Sequence, residues 1–263
     1  MTQRTLWFSA CVAAVAVTAC ASPTGPGNPG ALGLGRSITT ASFEFRYAAG
    51  DTVDAGWQED FHRWAIAELG VTPPKRIVFH KYFSREHMRG QTGVGTTNAY
   101  ADPDRYELHT IWPTDNHEVI HLYASSWGRP VALWSEGLAV SYQVDPVGND
   151  FVPKWSRVPL HSRARQLRDA GRLLPIRDLL TSSGFRSFDP DVTYPEAGSF
   201  MQVVRATCGL DGVRRLFGSG AVSDSVASVR EQFQAGCART IEDVELEWLA
   251  LLGTVAADPG SGR

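Results

Sequence analysis

His117-Glu118-Val119-Ile120-His121 places two imidazoles four residues apart, with a carboxylate beside the first. On a helix, positions i and i+4 share a face, so both rings can point at one metal ion. Imidazole nitrogen suits Zn²⁺, which takes N, S or O ligands in a tetrahedral arrangement. Glu118 is not needed as a ligand and can act as general base toward a water at the metal. Further on, Trp134-Ser135-Glu136-Gly137-Leu138-Ala139 offers the Glu136 carboxylate as a third ligand. Two histidines, one glutamate and a position left for water make a catalytic zinc site rather than a closed structural one. The plainer alternative is an amphipathic helix whose histidines only pack or face solvent. The helical setting, the following carboxylate and the exported character of the chain weigh against it.

The stretch 116–142, with H-E-V-I-H followed by L-W-S-E-G-L-A-V-S-Y, resembles the gluzincin metallopeptidases. It is most similar to their small peptidase MA-like domains, and the order of elements agrees over most of the chain beyond the leader. The resemblance implies His117, His121 and Glu136 as zinc ligands and Glu118 as catalytic base. It also implies an α+β fold of the thermolysin-like zincin kind: a small N-terminal α/β lobe with a mixed sheet, then a mainly helical lobe carrying the H-E-x-x-H helix. One departure is Val140, where some gluzincins carry an acidic residue that orients the first histidine. Another group must then do that work.

The elements that must position these residues follow an N-terminal leader. Arg4, an apolar run from Leu6 through Val17 and small residues up to Ala19 read as a secretory signal over 1–19. Cys20 directly after them makes it resemble a bacterial lipoprotein signal, with that thiol acylated; an ordinary signal peptide or a short anchor are the alternatives. Residues 20–36 read as a Pro/Gly/Ser tether with nothing to bury. A net charge of −3 with no basic stripe argues against nucleic acid as a partner. With Cys11 removed and Cys20 lipidated, Cys208 and Cys237 remain, either as a disulfide in an oxidising compartment or as two separately buried thiols.

Residues 37–112 read as the α/β lobe. Alternation over 38–47, with Phe43, Phe45 and Tyr47 on one face, predicts a strand. Phe61, Trp64, Ala65, Ile66 and Leu69 recur at helical spacing up to Gly70, and 76–80 reads as a short buried strand. Residues 90–95 read as loop, and 96–101 and 106–111 as two strands about an Asp102-Pro103-Asp104 turn. His80, His87 and His109 read as structural or surface groups. In gluzincins the edge strand borders the cleft and pairs with an extended substrate, which implicates 96–100.

Residues 113–255 read as the helical lobe, one catalytic domain together with 37–112. Thr114 or Asp115 is the N-cap candidate of the metal helix, which the sequence ends near Trp127-Gly128 with Gly128 as a left-handed cap. A second helix over 133–143 carries Glu136 in its first turn, with Gly137 allowing a close approach. Further helices are expected near 159–171, 196–208, 210–217, 223–235 and 240–252, with 189–196 as a loop and 256–263 frayed. By the resemblance, Tyr194 borders the cleft and donates to the oxyanion of a tetrahedral intermediate; packing under the loop is the alternative.

These readings converge on zinc-dependent hydrolysis of peptide bonds in a lipid-anchored protein of the bacterial cell envelope, facing the periplasm or exterior. A non-catalytic zinc scaffold that binds envelope proteins is a second reading, and a cell-wall amidase of the same chemistry a third.

Overall fold

The computed structural model describes residues 33–146 and 150–255. It begins with a hairpin, β1 (Arg36–Thr39) antiparallel to β2 (Phe43–Tyr47). The alternation over 38–47 predicts one strand, but the chain turns at 40–42. There Thr40 Oγ1 accepts a hydrogen bond from Phe43 N–H and donates to Phe43 O. The ordered body also starts earlier than a tether ending at residue 36 implies. Leu34 is fully buried against Ala48, Tyr82 and Met88.

Five further elements complete the sheet region: α1 (Ala55–Leu69), β3 (Ile77–Lys81), α2 (Arg85–Thr92), β4 (Ala99–Asp102) and β5 (Glu107–Thr110). The strand order is β1-β2-β3-β5-β4. The three central strands are parallel and both edges antiparallel, a mixed sheet. α1 starts at Asp54, whose carboxylate accepts from Trp57 N–H, and ends at Gly70 in the left-handed region. The expected loop over 90–95 is in part the last turn of α2. Ser84 caps that helix, Met88 buries it, and Gly93 rather than Gly90 ends it.

The rest is mainly helical: α3 (Glu118–Ala124), α4 (Ala132–Ser141), an unanticipated hairpin β6 (Lys154–Trp155) and β7 (Val158–Pro159), then α5 (Leu160–Asp169), a 3₁₀ turn, α6 (Ser182–Arg186), α7 (Pro190–Ser219), α8 (Val226–Cys237) and α9 (Ile241–Thr254). The expected loop over 189–196 is instead the start of α7, because Asp189 caps it and Pro190 opens its first turn. The expected break between 196–208 and 210–217 is real: Gly209 sits at φ 67°, ψ 171° inside α7. Cys208 beside that break is disulfide-bonded to Cys237 at the end of α8.

One continuous core joins the two halves, running from Phe43, Phe79 and Leu108 of the sheet through Ile120, Trp134 and Phe200 to Trp248. The fold is therefore α+β, with sheet and helices sharing one main hydrophobic interior and a small second cluster around Leu34. Among the described residues no helix is long and apolar enough to cross a membrane. The leader, Cys20 and most of the tether, like the tail over 256–263, lie outside the described residues.

Candidate metal centre

α3 is shorter than its sequence reading. Asp115 acts as the cap, its Oδ1 accepting from the backbone N–H of His117 and of Glu118. Gln58 of α1 holds Asp115 in turn: its amide donates to Asp115 O, and its carbonyl accepts from Asp115 N–H. Asn116 donates to Val144 O just after α4. α1 and the end of α4 thus each hold the turn that leads into the histidines. At the other end the helix stops at Ser125, and Gly128 is not a left-handed cap. A Cβ on Gly128 would lie 2.1 Å from Phe217 O, so the glycine serves close passage of the chain past α7.

α4 brings Glu136 to the histidines, and α7 presses α4 into place. A Cβ on Gly137 would sit 3.0 Å from Ala197 O, in line with the close approach read from the sequence. The nitrogen His117 Nε2 lies 3.2 Å from His121 Nε2 and 3.2 Å from Glu136 Oε2, and His121 Nε2 lies 3.4 Å from Glu136 Oε2. Ligands about 2.0–2.2 Å from one Zn²⁺ at tetrahedral angles stand roughly 3.3–3.6 Å apart. The donor set and its spacing fit a small divalent cation, and His117, His121 and Glu136 form one of two groups among the described residues able to hold a metal ion.

The orienting group that Val140 cannot supply is Gln143. His117 Nδ1 is 3.2 Å from Gln143 Oε1. A carbonyl oxygen only accepts, so Nδ1 carries the hydrogen and the Nε2 lone pair is left for a metal. Gln143 lies seven residues beyond Glu136 and two past the end of α4, where its N–H still bonds to Val140 O, so the closing turn brings it back to the side of Glu136. Arg186 was also missed. Its Nη2 lies 3.8 Å from Glu136 Oε1 across the cleft, and nothing in the spacing of a separate helix announces it.

Burial disfavours charge on Glu136, yet the His117 and His121 imidazoles hold its carboxyl well below the usual carboxylate range. Burial, reinforced by Asp115 and Glu136, pushes the Glu118 carboxyl up to about 8. Its carboxylate is accordingly more basic than an ordinary glutamate's. Tyr194 lies in the first turns of α7, its ring 6.1 Å from that of His117 and packed on Trp155 and Phe185. Burial raises its phenol to about 12, so the hydroxyl stays protonated and able to donate. Tyr194 packs on Trp155 and Phe185 and also lines the cleft, but from a helix rather than from the expected loop.

These groups line a cleft of about 1050 Å³ whose wall includes Thr96 to Ala101. β4 is the sheet edge there, although it starts at Ala99 rather than at Thr96. His87 is a partly buried group whose Nδ1 accepts from Phe83 N–H. His80 and His109 meet on the sheet. No protein-family model matches the chain, and no curated protein does.

Proposed function

We propose that the chain is a zinc-dependent peptidase of the gluzincin kind, with a thermolysin-like arrangement of sheet edge, metal helix and ligand helix. The observation that carries this reading is the convergence of three ligand atoms, 3.2–3.4 Å apart, with Glu118 beside them and committed to no ligand role. A purely structural site gains nothing from that carboxylate.

His117, His121 and Glu136 hold the ion, which when bound supplies Lewis acidity that acidifies water and polarises a carbonyl. Gln143 keeps His117 in the tautomer that ligates. The Glu118 carboxylate takes the proton of the attacking water and delivers it to the leaving amine nitrogen. Tyr194 donates its hydroxyl proton toward the oxyanion that forms on the scissile carbonyl. Edge strand β4 offers backbone hydrogen bonds to an extended peptide, which holds substrate without reading much sequence.

The leader and Cys20 support an envelope lipoprotein, its body standing off the membrane on the tether, with peptides or proteins as substrates and no nucleic-acid partner. Profiling a peptide library with and without a chelator tests the reading. We expect cleavage at internal peptide bonds that chelation abolishes and zinc restores. Cleavage indifferent to chelation would remove the metal from the mechanism.

A further inference from the structure

A second cluster lies on the opposite face of the sheet. Phe43, Phe45, Phe79 and Leu108 face α1 and α3 in the main core; the residues alternating with them point the other way. There His80 of β3 and His109 of β5 are register partners. Their rings stack with centroids 4.5 Å apart and planes within 6°. Glu107, on the same face of β5, brings Oε2 to 3.5 Å from His80 Nε2 and 3.7 Å from His109 Nε2. Each side chain contributes one ligand atom, all within 4.8 Å of one another.

Those separations are too long for good hydrogen bonds, which run at about 2.7–3.2 Å for N–H···O. His80 is 1% exposed, and neither of its ring nitrogens has a hydrogen-bond partner. An imidazole stripped of water and without a hydrogen-bond partner carries a desolvation penalty, which the Glu107 carboxylate 3.5 Å away offsets only in part. The two Glu107 separations approach the edges of a tetrahedral site, roughly 3.3–3.6 Å for zinc, and the stacked rings would turn to aim both Nε2 atoms at one ion. The Tyr82 hydroxyl lies 2.9 Å from His109 Nδ1 and can accept from it or donate to it, according to the tautomer. With Nδ1–H donated to the Tyr82 oxygen, the Nε2 lone pair faces the Glu107 carboxylate, an arrangement that a cation between them makes favourable.

We propose that His80, Glu107 and His109 form a second divalent-cation site that pins β3 to β5. Two imidazoles and a carboxylate suit a borderline ion such as zinc, cobalt or nickel, not calcium or magnesium, which take oxygen ligands. The two histidines are closed off, so the ion is structural; Glu107, with 17% of its side chain exposed, marks the side of entry. Tyr100 of β4 stacks on His109 at 4.5 Å, so filling the site also steadies the strand that edges the cleft. No residue is shared with the first centre, and the proposal stands whether or not that centre is catalytic.

The full chain, free of any added histidine tag, is stripped of metal, titrated with cobalt(II), and its bound ion counted after gel filtration. Wild type should hold two ions. His117→Ala/His121→Ala leaves the sheet untouched and should hold one, with visible absorption of low-coordinate cobalt remaining. His80→Gln/His109→Gln should also hold one, and the combined variant none. A folded His117→Ala/His121→Ala chain that binds no ion overturns the proposal. So does a wild type holding a single ion that survives His80→Gln/His109→Gln. A single ion lost with the sheet substitutions and kept with the helix substitutions supports this site and removes the first. Should the sheet variant fail to fold, the helix variant decides alone.

Discussion

Gln143 Oε1 sits 3.2 Å from His117 Nδ1, and it does so from the residue immediately before Val144, whose carbonyl accepts from Asn116. The end of α4 therefore both fixes the entry to the metal helix and sets the tautomer of its first histidine. Gln143→Ala should leave the fold intact and weaken metal binding about 10–100-fold, the usual worth of an outer partner to a ligating histidine. Competition against a chromophoric chelator measures this, and wild-type affinity in the variant would assign Gln143 no part in the site.

Gly198 faces Val140 across the α4–α7 contact, and a Cβ there would come within 2.4 Å of Val140 Cγ1. Gly198→Ala should lower stability by about 1–3 kcal/mol through overpacking. Adding Val140→Ala should return part of the loss by opening the space. Denaturant midpoints of the two single variants and the double variant test the coupling, which vanishes if their effects simply add.

The same contact explains what the sequence made legible and what it did not. The grouping of His117, His121 and Glu136 was readable because H-E-x-x-H carries its geometry in helical spacing and the resemblance pointed to Glu136 in W-S-E-G, and Gly137 announced a close neighbour. Val140 could be seen to lack a carboxylate, but that it fills the gap left by Gly198 is a tertiary fact with no local signature. His80 and His109 read singly as structural or surface groups and Glu107 drew no reading, since only the parallel pairing of β3 with β5 brings the histidines together. The hairpin turn at 40–42 was hidden by an alternation that ran through it. The start of α7 was hidden by Pro190, which a helix tolerates at its first position, and by Pro195, which lies inside the helix where a proline ordinarily breaks it.

The Cys208–Cys237 disulfide closes a loop with a sequence separation of 29 beside the Gly209 break. Cys208→Ser/Cys237→Ser should cost about 3–4 kcal/mol in the chain-entropy account. Unfolding with and without reductant should show the same loss in wild type and none in the variant. Two reactive thiols in denatured, unreduced protein would contradict the bridge.

Glu196 gives a stability signature that depends on pH. It is fully buried in α7, with Oε2 accepting from Leu174 N–H and Oε1 unpartnered. Burial, assisted by Glu245, pushes its carboxyl up to about 8 from an ordinary 4.5. Between those values the unfolded chain has released the proton and the native chain keeps it, so the native state binds more protons and stability falls as pH rises. The slope from this group should approach about 1.4 kcal/mol per pH unit. Glu196→Gln should flatten that limb and be the more stable protein at pH 8–9, by chemical denaturation. An unchanged slope would place the titration elsewhere.

Glu118 separates an enzyme from a metal-bearing scaffold. Glu118→Gln keeps the shape of the side chain but removes its ability to accept the proton of water. Its neighbours His117, His121 and Glu136 supply the three ligand atoms, so metal content should stay at the wild-type level. Peptide cleavage should fall by about 10²–10⁴-fold, the worth of a positioned general base. A scaffold would keep its metal and its partners, with no cleavage to lose. Wild type and variant must be assayed side by side, with metal counted on the same samples, because lost metal would mimic a lost base. Equal cleavage at equal metal content would take Glu118 out of the mechanism. Rate loss at equal metal leaves proton transfer as the step that this carboxylate performs.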